Sequence, residues 1–478
     1  MENRKQDSNG IINNLWVFLR RLKFVLRKIK SFLIFALVAL AIYQTGQLWF
    51  ANLSNHNFFL RLSARFTPSV PDGYREFVRP MRWIYGAGDG RFTIGYSGLM
   101  EIPPRVYFDT VLTELFAGRF TFAGEREADF TQLLSRPVLI YEYAFPMPGD
   151  VFHHGFNRRT GVSLTGLGIT GFTSVAIWPP YANNRQLSVF FIYDDRIWEF
   201  TVDSAAGDVF NFPVHPVSAE QLYFVSAALE GYVHLPPNTF VARTGERGFA
   251  AHPVRVSNPY LTHVGLSLQF IRSQVVRFFD NPATINSRIG SDGIWTFSNI
   301  HTTVRYVYTH VLEYHSFRPR RHNVNTSFME DFSAALAFIE ADHHVINEIF
   351  LTGFEPRGAG YVFWFGYIVN HFPILMPEGW VVSSPEDILP APIEVVVEQG
   401  RVVLYRRLPH NFQVGERHVW RVFDLDEFLK GQEGTVDGLT LGYLMRPHGN
   451  LLLDWWACIS ENEAPEGYDA TENEESDT

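Results

Sequence analysis

The chain has 478 residues, 46% of them hydrophobic and 15% aromatic, with a formal net charge of −10. That composition excludes a wholly disordered chain and supplies enough apolar surface for sizeable cores. The charge is uneven: residues 1–30 carry eight basic and two acidic side chains, whereas residues 461–478 carry eight acidic and no basic ones. No extended basic face remains beyond the leader, which argues against nucleic-acid binding. Cys458 is the single cysteine, so no intrachain disulfide can form. An extracytoplasmic chain of this size without disulfides suits a bacterial surface better than a eukaryotic secretory route. Cys458 follows Trp455 and Trp456 in an apolar run and reads as a small core residue rather than a nucleophile.

Residues 1–31 read as a basic cytoplasmic segment, with Arg20, Arg21, Lys23, Arg27, Lys28 and Lys30 as its positive-inside signal. Residues 32–51 read as a single transmembrane helix. Its anchor is Phe32, Leu33, Ile34, Phe35, Leu37, Val38, Leu40 and Ile42, with Trp49 at the outer boundary. At about 1.5 Å per residue the stretch from Phe32 to Phe50 covers about 28 Å, close to a hydrocarbon core of about 30 Å. Bases on the N-terminal side alone place residues 52–478 outside the cell membrane. A cleaved signal peptide is the competing reading, since Ala39–Leu40–Ala41 resembles a cleavage site. Ala39 and Gly46 are small residues of the kind that let another helix approach, whether from a partner or from a second copy in a homodimer.

Beyond the anchor the pattern is α+β, consecutive units of helix and antiparallel sheet joined by turns rich in Gly and Pro. Residues 52–75 read as a linker. Residues 76–232 read as a first α+β domain. Its hairpin is Met81–Tyr85 with Arg91–Tyr96, and a helix opens at Pro103–Pro104. Arg136–Tyr143 is a strand, and a second hairpin turns at Asp194–Asp195. A helix is expected from Ser218 to Gly231. Residues 233–260 read as a second linker and 261–320 as a middle domain. The latter holds a helix over Leu266–Phe279 and strands at Thr284–Ile289, Ile294–Phe297 and Thr302–Tyr308.

Residues 321–460 read as a C-terminal domain. Ser327 and Glu330 form a capping box, and the apolar period from Phe328 through Val345, Ile346 and Ile349 outlines the helix. Strands follow at Tyr361–Phe365, Tyr367–Phe372, Ile393–Val397, Val402–Arg406, Leu439–Met445 and Leu451–Ile459. Residues 461–478 are acidic, nearly free of apolar side chains and expected to be disordered.

Three features carry a resemblance. One is the layout, a basic N-terminus, one anchor and about 400 outer residues. Another is Phe77–Val78–Arg79–Pro80–Met81–Arg82–Trp83–Ile84. The third is Phe365–Gly366–Tyr367–Ile368–Val369–Asn370–His371–Phe372–Pro373–Ile374, followed by the hairpin Ile393–Glu394–Val395–Val396–Val397–Glu398–Gln399–Gly400–Arg401–Val402 and by Leu441–Gly442–Tyr443. With these the chain resembles the YycH family, and its C-terminal part is similar to YycI. It departs from the family in its longer leader, its acidic tail and many aromatic substitutions. The resemblance implies a membrane-anchored regulatory protein that binds a sensor histidine kinase of a two-component system governing cell-wall homeostasis, together with a YycI-like membrane protein. It implies no catalytic residues and no enzyme.

The residues themselves offer little reactive chemistry. His153–His154 and His343–His344 are adjacent pairs that cannot share a face, and no H-E-x-x-H occurs. Glu340 and His344 have the spacing of a helical surface pair. Gly166–Leu167–Gly168–Ile169–Thr170–Gly171 fits a dinucleotide pattern, but the strand-like Thr173–Trp178 follows where a helix is required. Arg318, Arg320 and Arg321 form a basic knot that reads as a solvated loop. Phe363–Trp364–Phe365 and Trp455–Trp456 are either core or an interaction patch. No metal, cofactor or catalytic site is expected. An anchored cell-envelope enzyme, or a structural or ligand-binding envelope protein, is the alternative reading.

Overall fold

In the computed structural model the described residues all belong to one compact unit, Pro68–Thr478. The structure describes residues 77, 79–96, 102–156, 163–180, 186–203 and, with short breaks, 222–460. The cytoplasmic segment, the anchor, the positive-inside bases, the linker 52–75 and the acidic tail therefore lie outside the described residues. No helix among the described residues is long and apolar enough to cross a membrane.

The described residues are α+β with mostly antiparallel sheets. The first sheet comprises β1 (Arg82–Gly86), β2 (Phe92–Tyr96), β3 (Phe120–Glu127), β4 (Val138–Pro148), β5 (Gly171–Trp178), β6 (Gln186–Tyr193), β7 (Arg196–Asp203), β8 (Leu222–Ser226) and β9 (Phe240–Thr244). Their order is β3-β7-β6-β5-β4-β1-β2-β8-β9. Alternating apolar positions such as Leu187, Val189 and Phe191 bury one face. The expected hairpins at 86–92 and at Asp194–Asp195 and the helix Ile102–Phe116 are all present.

The helix expected from Ser218 is replaced over Leu222–Ser226 by β8, which pairs with β2 and β9. Tyr223, Phe224 and Val225 suit a strand, and the open sheet edge supplies their backbone partners. Among the described residues of that stretch only Ala227–Glu230 is helical, capped by Ser226 and ended by Gly231 at φ 74°.

The stretch 233–260, read as a linker, carries strands. After β9 come β10 (Phe249–Ala251) and β11 (Val254–Ser257), then the small hairpin β12 (Leu261–Thr262) and β13 (Gly265–Leu266). The second sheet follows as β14 (Asn286–Ile289), β15 (Trp295–Ser298), β16 (Thr302–Tyr306), β17 (Leu312–Ser316), β18 (Glu348–Arg357), β19 (Gly360–Val369) and β20 (Phe372–Leu375). After the short pair β21 (Trp380–Val381) and β22 (Ile388–Leu389) it resumes with β23 (Ile393–Glu398) and β24 (Arg401–Arg407). Then β25 (Asn411–Val414) and β26 (Val419–Arg421) pair back with β11 and β10, and β27 (Thr435–Leu444), β28 (Asn450–Leu451) and β29 (Leu453–Ser460) close the chain.

The second sheet runs β14-β15-β16-β17-β24-β23-β19-β20-β27-β29, with β18 also on β19. Among the described residues its one parallel contact is β20 on β27. Because β17 pairs with β24, segments 261–320 and 321–460 share one sheet instead of forming separate domains.

The helix Phe328–Ala341 packs on β19, β23 and β24. Its Ser327–Glu330 capping box is present, and it stops at Asp342, short of Val345 and Ile349. Ile349 belongs instead to β18. Asp331 Oδ1 accepts from the N–H of Gly400 at 2.7 Å, which ties the helix to the two-residue turn Gln399–Gly400. Both turn residues have positive φ, 53° and 71°, the condition for the tight hairpin turn. The expected break at Gly366 is absent. Phe350 lies where a side chain at 366 would stand, and the strand runs on to a turn at Asn370–His371.

Phe77 joins the two sheets. Its ring lies 5.9 Å from Phe145 on β4, 4.9 Å from Phe328, 5.3 Å from Phe332 and 5.9 Å from Phe354 on β18. Replacing Ser327 by Ala removes the cap. Urea denaturation is expected to show a loss of about 1 kcal/mol at unchanged slope.

Candidate functional site

The sequence-derived site residues are those of the anchor and its flanking bases, and they lie outside the described residues. So do His343, His344, Arg320 and Arg321, as do the side chains of His153, His154 and Cys458. The Gly166–Gly171 segment is a short helical turn, Thr165–Leu167, running into β5. Phe363, Phe365 and Trp455 are buried core. Among the described residues no group of three or more His, Cys, Asp or Glu is placed to hold a metal ion.

What the fold does assemble is a buried ionic centre beneath the helix Phe328–Ala341. Asp342 is the residue that ends this helix, and it is 1% exposed. A carboxylate at a helix C-terminus opposes the helix dipole, and burial removes the water that would offset it. Two guanidinium groups answer. Arg407, also 1% exposed, places Nε 2.6 Å from Asp342 Oδ2, and Arg277 pairs with Oδ1. The Tyr405 hydroxyl donates to Oδ2 at 3.0 Å, and Arg407 Nη2 donates to the Tyr260 hydroxyl at 3.1 Å.

Burial opposes the charge on Arg407, but Tyr260, Asp342 and Tyr405 outweigh it and hold its pKa above the ordinary value. Burial, and then Asp342, pushes the Tyr405 hydroxyl far up, so it remains a donor. Nothing in the sequence singled out Arg407. The available signal was its phase, two residues from the buried Tyr405 on β24.

Arg277 opens this centre to a cleft of about 290 Å³. Phe278, Tyr314 and Phe338 form its aromatic wall, with Phe278 and Phe338 stacked at 5.8 Å and Tyr314 4.9 Å from Phe338. Arg318 and Arg401 also line it, and Asp280 is the lining acid. Arg318 pairs with Asp280 at the mouth, where the two are 40% and 74% exposed. The basic knot read as a solvated loop thus supplies one wall through Arg318.

The opposite face of the second sheet carries a charge row. Register places Arg305, Glu313, Arg406, Glu394 and Trp364 opposite one another on β16, β17, β24, β23 and β19. Arg305 meets Glu313 at 3.1 Å. Arg406 reaches Glu394 at 2.8 Å and Asp387 at 2.7 Å, and Trp364 Nε1 donates to Glu394 at 3.1 Å. Burial raises the pKa of Glu313 despite Arg305 and Arg406. In the first sheet Arg82 and Glu142 form a similar cross-strand pair at 2.8 Å.

At the end of the second sheet the N–H of Phe317 donates to the carbonyl of His301 at 2.8 Å. Phe317, 64% exposed, lies between the cleft-lining Ser316 and Arg318, and Ile300, the chain neighbour of His301, is 86% exposed. The edge strand β14 nearby in the sheet is exposed at all four residues.

No family model matches the chain, and no curated protein matches it. Among solved structures it is similar to an uncharacterized protein from Eubacterium rectale, at 11% identity and a TM-score of 0.27, over 45% of this chain and 77% of that one.

Two outcomes are expected of the ionic centre. Arg407→Met leaves Asp342 underpaired, so urea denaturation should show a loss of about 3–5 kcal/mol, part of which returns when Asp342→Asn is added. The second concerns His410, which is 6% exposed. Burial, with His310 and Arg407 near it, lowers its pKa from 6.5 to about 4. Between those values the unfolded chain takes up a proton that the folded one refuses. The His410 contribution is therefore complete above pH 6.5 and is lost as pH falls towards 4. Between pH 7 and 4.5 the wild type should lose about 2 kcal/mol more unfolding free energy than His410→Leu.

Proposed function

We propose that this chain is a membrane-anchored extracytoplasmic regulatory protein that works by binding. Its partners are a sensor histidine kinase of a cell-wall two-component system and a YycI-like membrane protein. The basic leader and the apolar run after it support an N-in, single-pass placement at the cell membrane, with the bulk outside.

The observation that carries the binding role is the exposure of two large apolar side chains, Ile300 and Phe317, at the end of a sheet whose edge strand β14 is exposed. Large apolar side chains exposed to water suit a contact surface, and an open edge can accept a further strand. The buried charges of the same sheet join strand to strand, which suits a scaffold that presents a surface.

The intact protein, captured from the membranes of its bacterium, should bring down the kinase or the YycI-like protein. Ile300→Glu together with Phe317→Glu should reduce that recovery about tenfold at unchanged membrane content. Recovery of neither partner at normal expression overturns the reading.

A further inference from the structure

The balance of charge around Asp342 does not close. One buried carboxylate serves two guanidinium groups, Arg277 and Arg407, so the centre retains a positive excess in a chain whose net charge is −10. The excess faces the cleft through Arg277, which is 20% exposed and whose Nε is buried without a hydrogen-bond partner. Arg318, paired with Asp280 at the mouth, and Arg401 also line the cleft. Between these cations lies an apolar wall of Phe278, Tyr314 and Phe338, with Arg277 set over the Phe278 ring at 5.1 Å.

We propose that this cleft is a binding site for an organic oxyanion, a phosphate or carboxylate group carried on a flat apolar body. The oxyanion meets Arg277 and Arg318, whose forked donors match its oxygens. The flat body lies against Phe278 and Phe338, where aromatic stacking adds to the burial. A cation-rich cleft in a low-dielectric wall concentrates anions even on a protein of negative net charge. Burial depresses the pKa of Arg277, with Asp342 countering and Arg407 adding to the depression; an arriving anion relieves this load. The site borders Phe317 through Ser316 and Arg318, but its occupancy does not depend on a kinase partner, so the two readings fail separately.

The test is calorimetric titration of the full chain in detergent with phenyl phosphate, benzoate, inorganic phosphate and phenol. Phenyl phosphate or benzoate should bind about tenfold tighter than both inorganic phosphate and phenol, and the stronger of the two identifies the oxyanion. Arg318→Ala should weaken that ligand about fivefold or more at an unchanged urea midpoint, and Asp280→Asn should tighten it severalfold. Phenol binding as tightly as the anions would show an apolar cleft only. Either that result or full affinity in Arg318→Ala overturns the assignment.

Discussion

Burying Asp342 at the end of a helix is the constraint around which the second sheet is arranged. The carboxylate has neither water nor a favourable dipole, so it must be met by cations held in place by other elements. Arg407 comes from β24, Arg277 from the segment before β14, and Tyr260, which steadies Arg407, from the stretch after β11. Three parts of the chain far apart in sequence are thereby fixed to one helix terminus. The same helix is held at its other end by the capping box and by Asp331 on the Gln399–Gly400 turn. Both its termini thus report on the β23–β24 hairpin.

That hairpin also separates two different electrostatic worlds. Arg406 and Arg407 are neighbours, and the pleat sends them to opposite faces. Arg407 enters the buried centre under the helix. Arg406 joins the row of alternating charge that runs from Arg305 to Glu394 and ends on Trp364. Each member of the row is neutralised by the strand beside it, so a polar face can be packed and kept in register without leaving charges unpaired. The centre beneath the helix is not balanced in this way, and its surplus positive charge emerges in the cleft.

Much of the local structure was legible. Turn residues and period-two alternation located both long hairpins and the hairpin around Gln399–Gly400, and the Ser327–Glu330 pair marked its helix start. The errors fell where tertiary pairing overrode local preference. Leu222–Tyr223–Phe224–Val225 followed a helix signal at Ser218, but an unfilled sheet edge beside β2 recruited it as a strand. The apolar period beyond Asp342 pointed to more helix, but Asp342 turned inward to its arginines and Ile349 entered β18. Residues 233–260 looked like a linker because Pro and Gly break them, yet short strands between such breaks pair across almost two hundred residues, as Val254 does with Leu451.

By itself the sequence determined the class of most local elements, the distribution of charge along the chain and the expectation of an anchored outer protein. These depend on neighbours within a few positions, where turn chemistry, capping and periodicity act. Only the tertiary structure decided that two expected domains share one sheet, that Arg406 and Arg407 do opposite work, and that Arg277, Arg318 and Arg401 line one cleft. The reason is physical. Which residues face each other is set by strand register and by the cost of burying Asp342, and both are properties of the packed chain rather than of any segment.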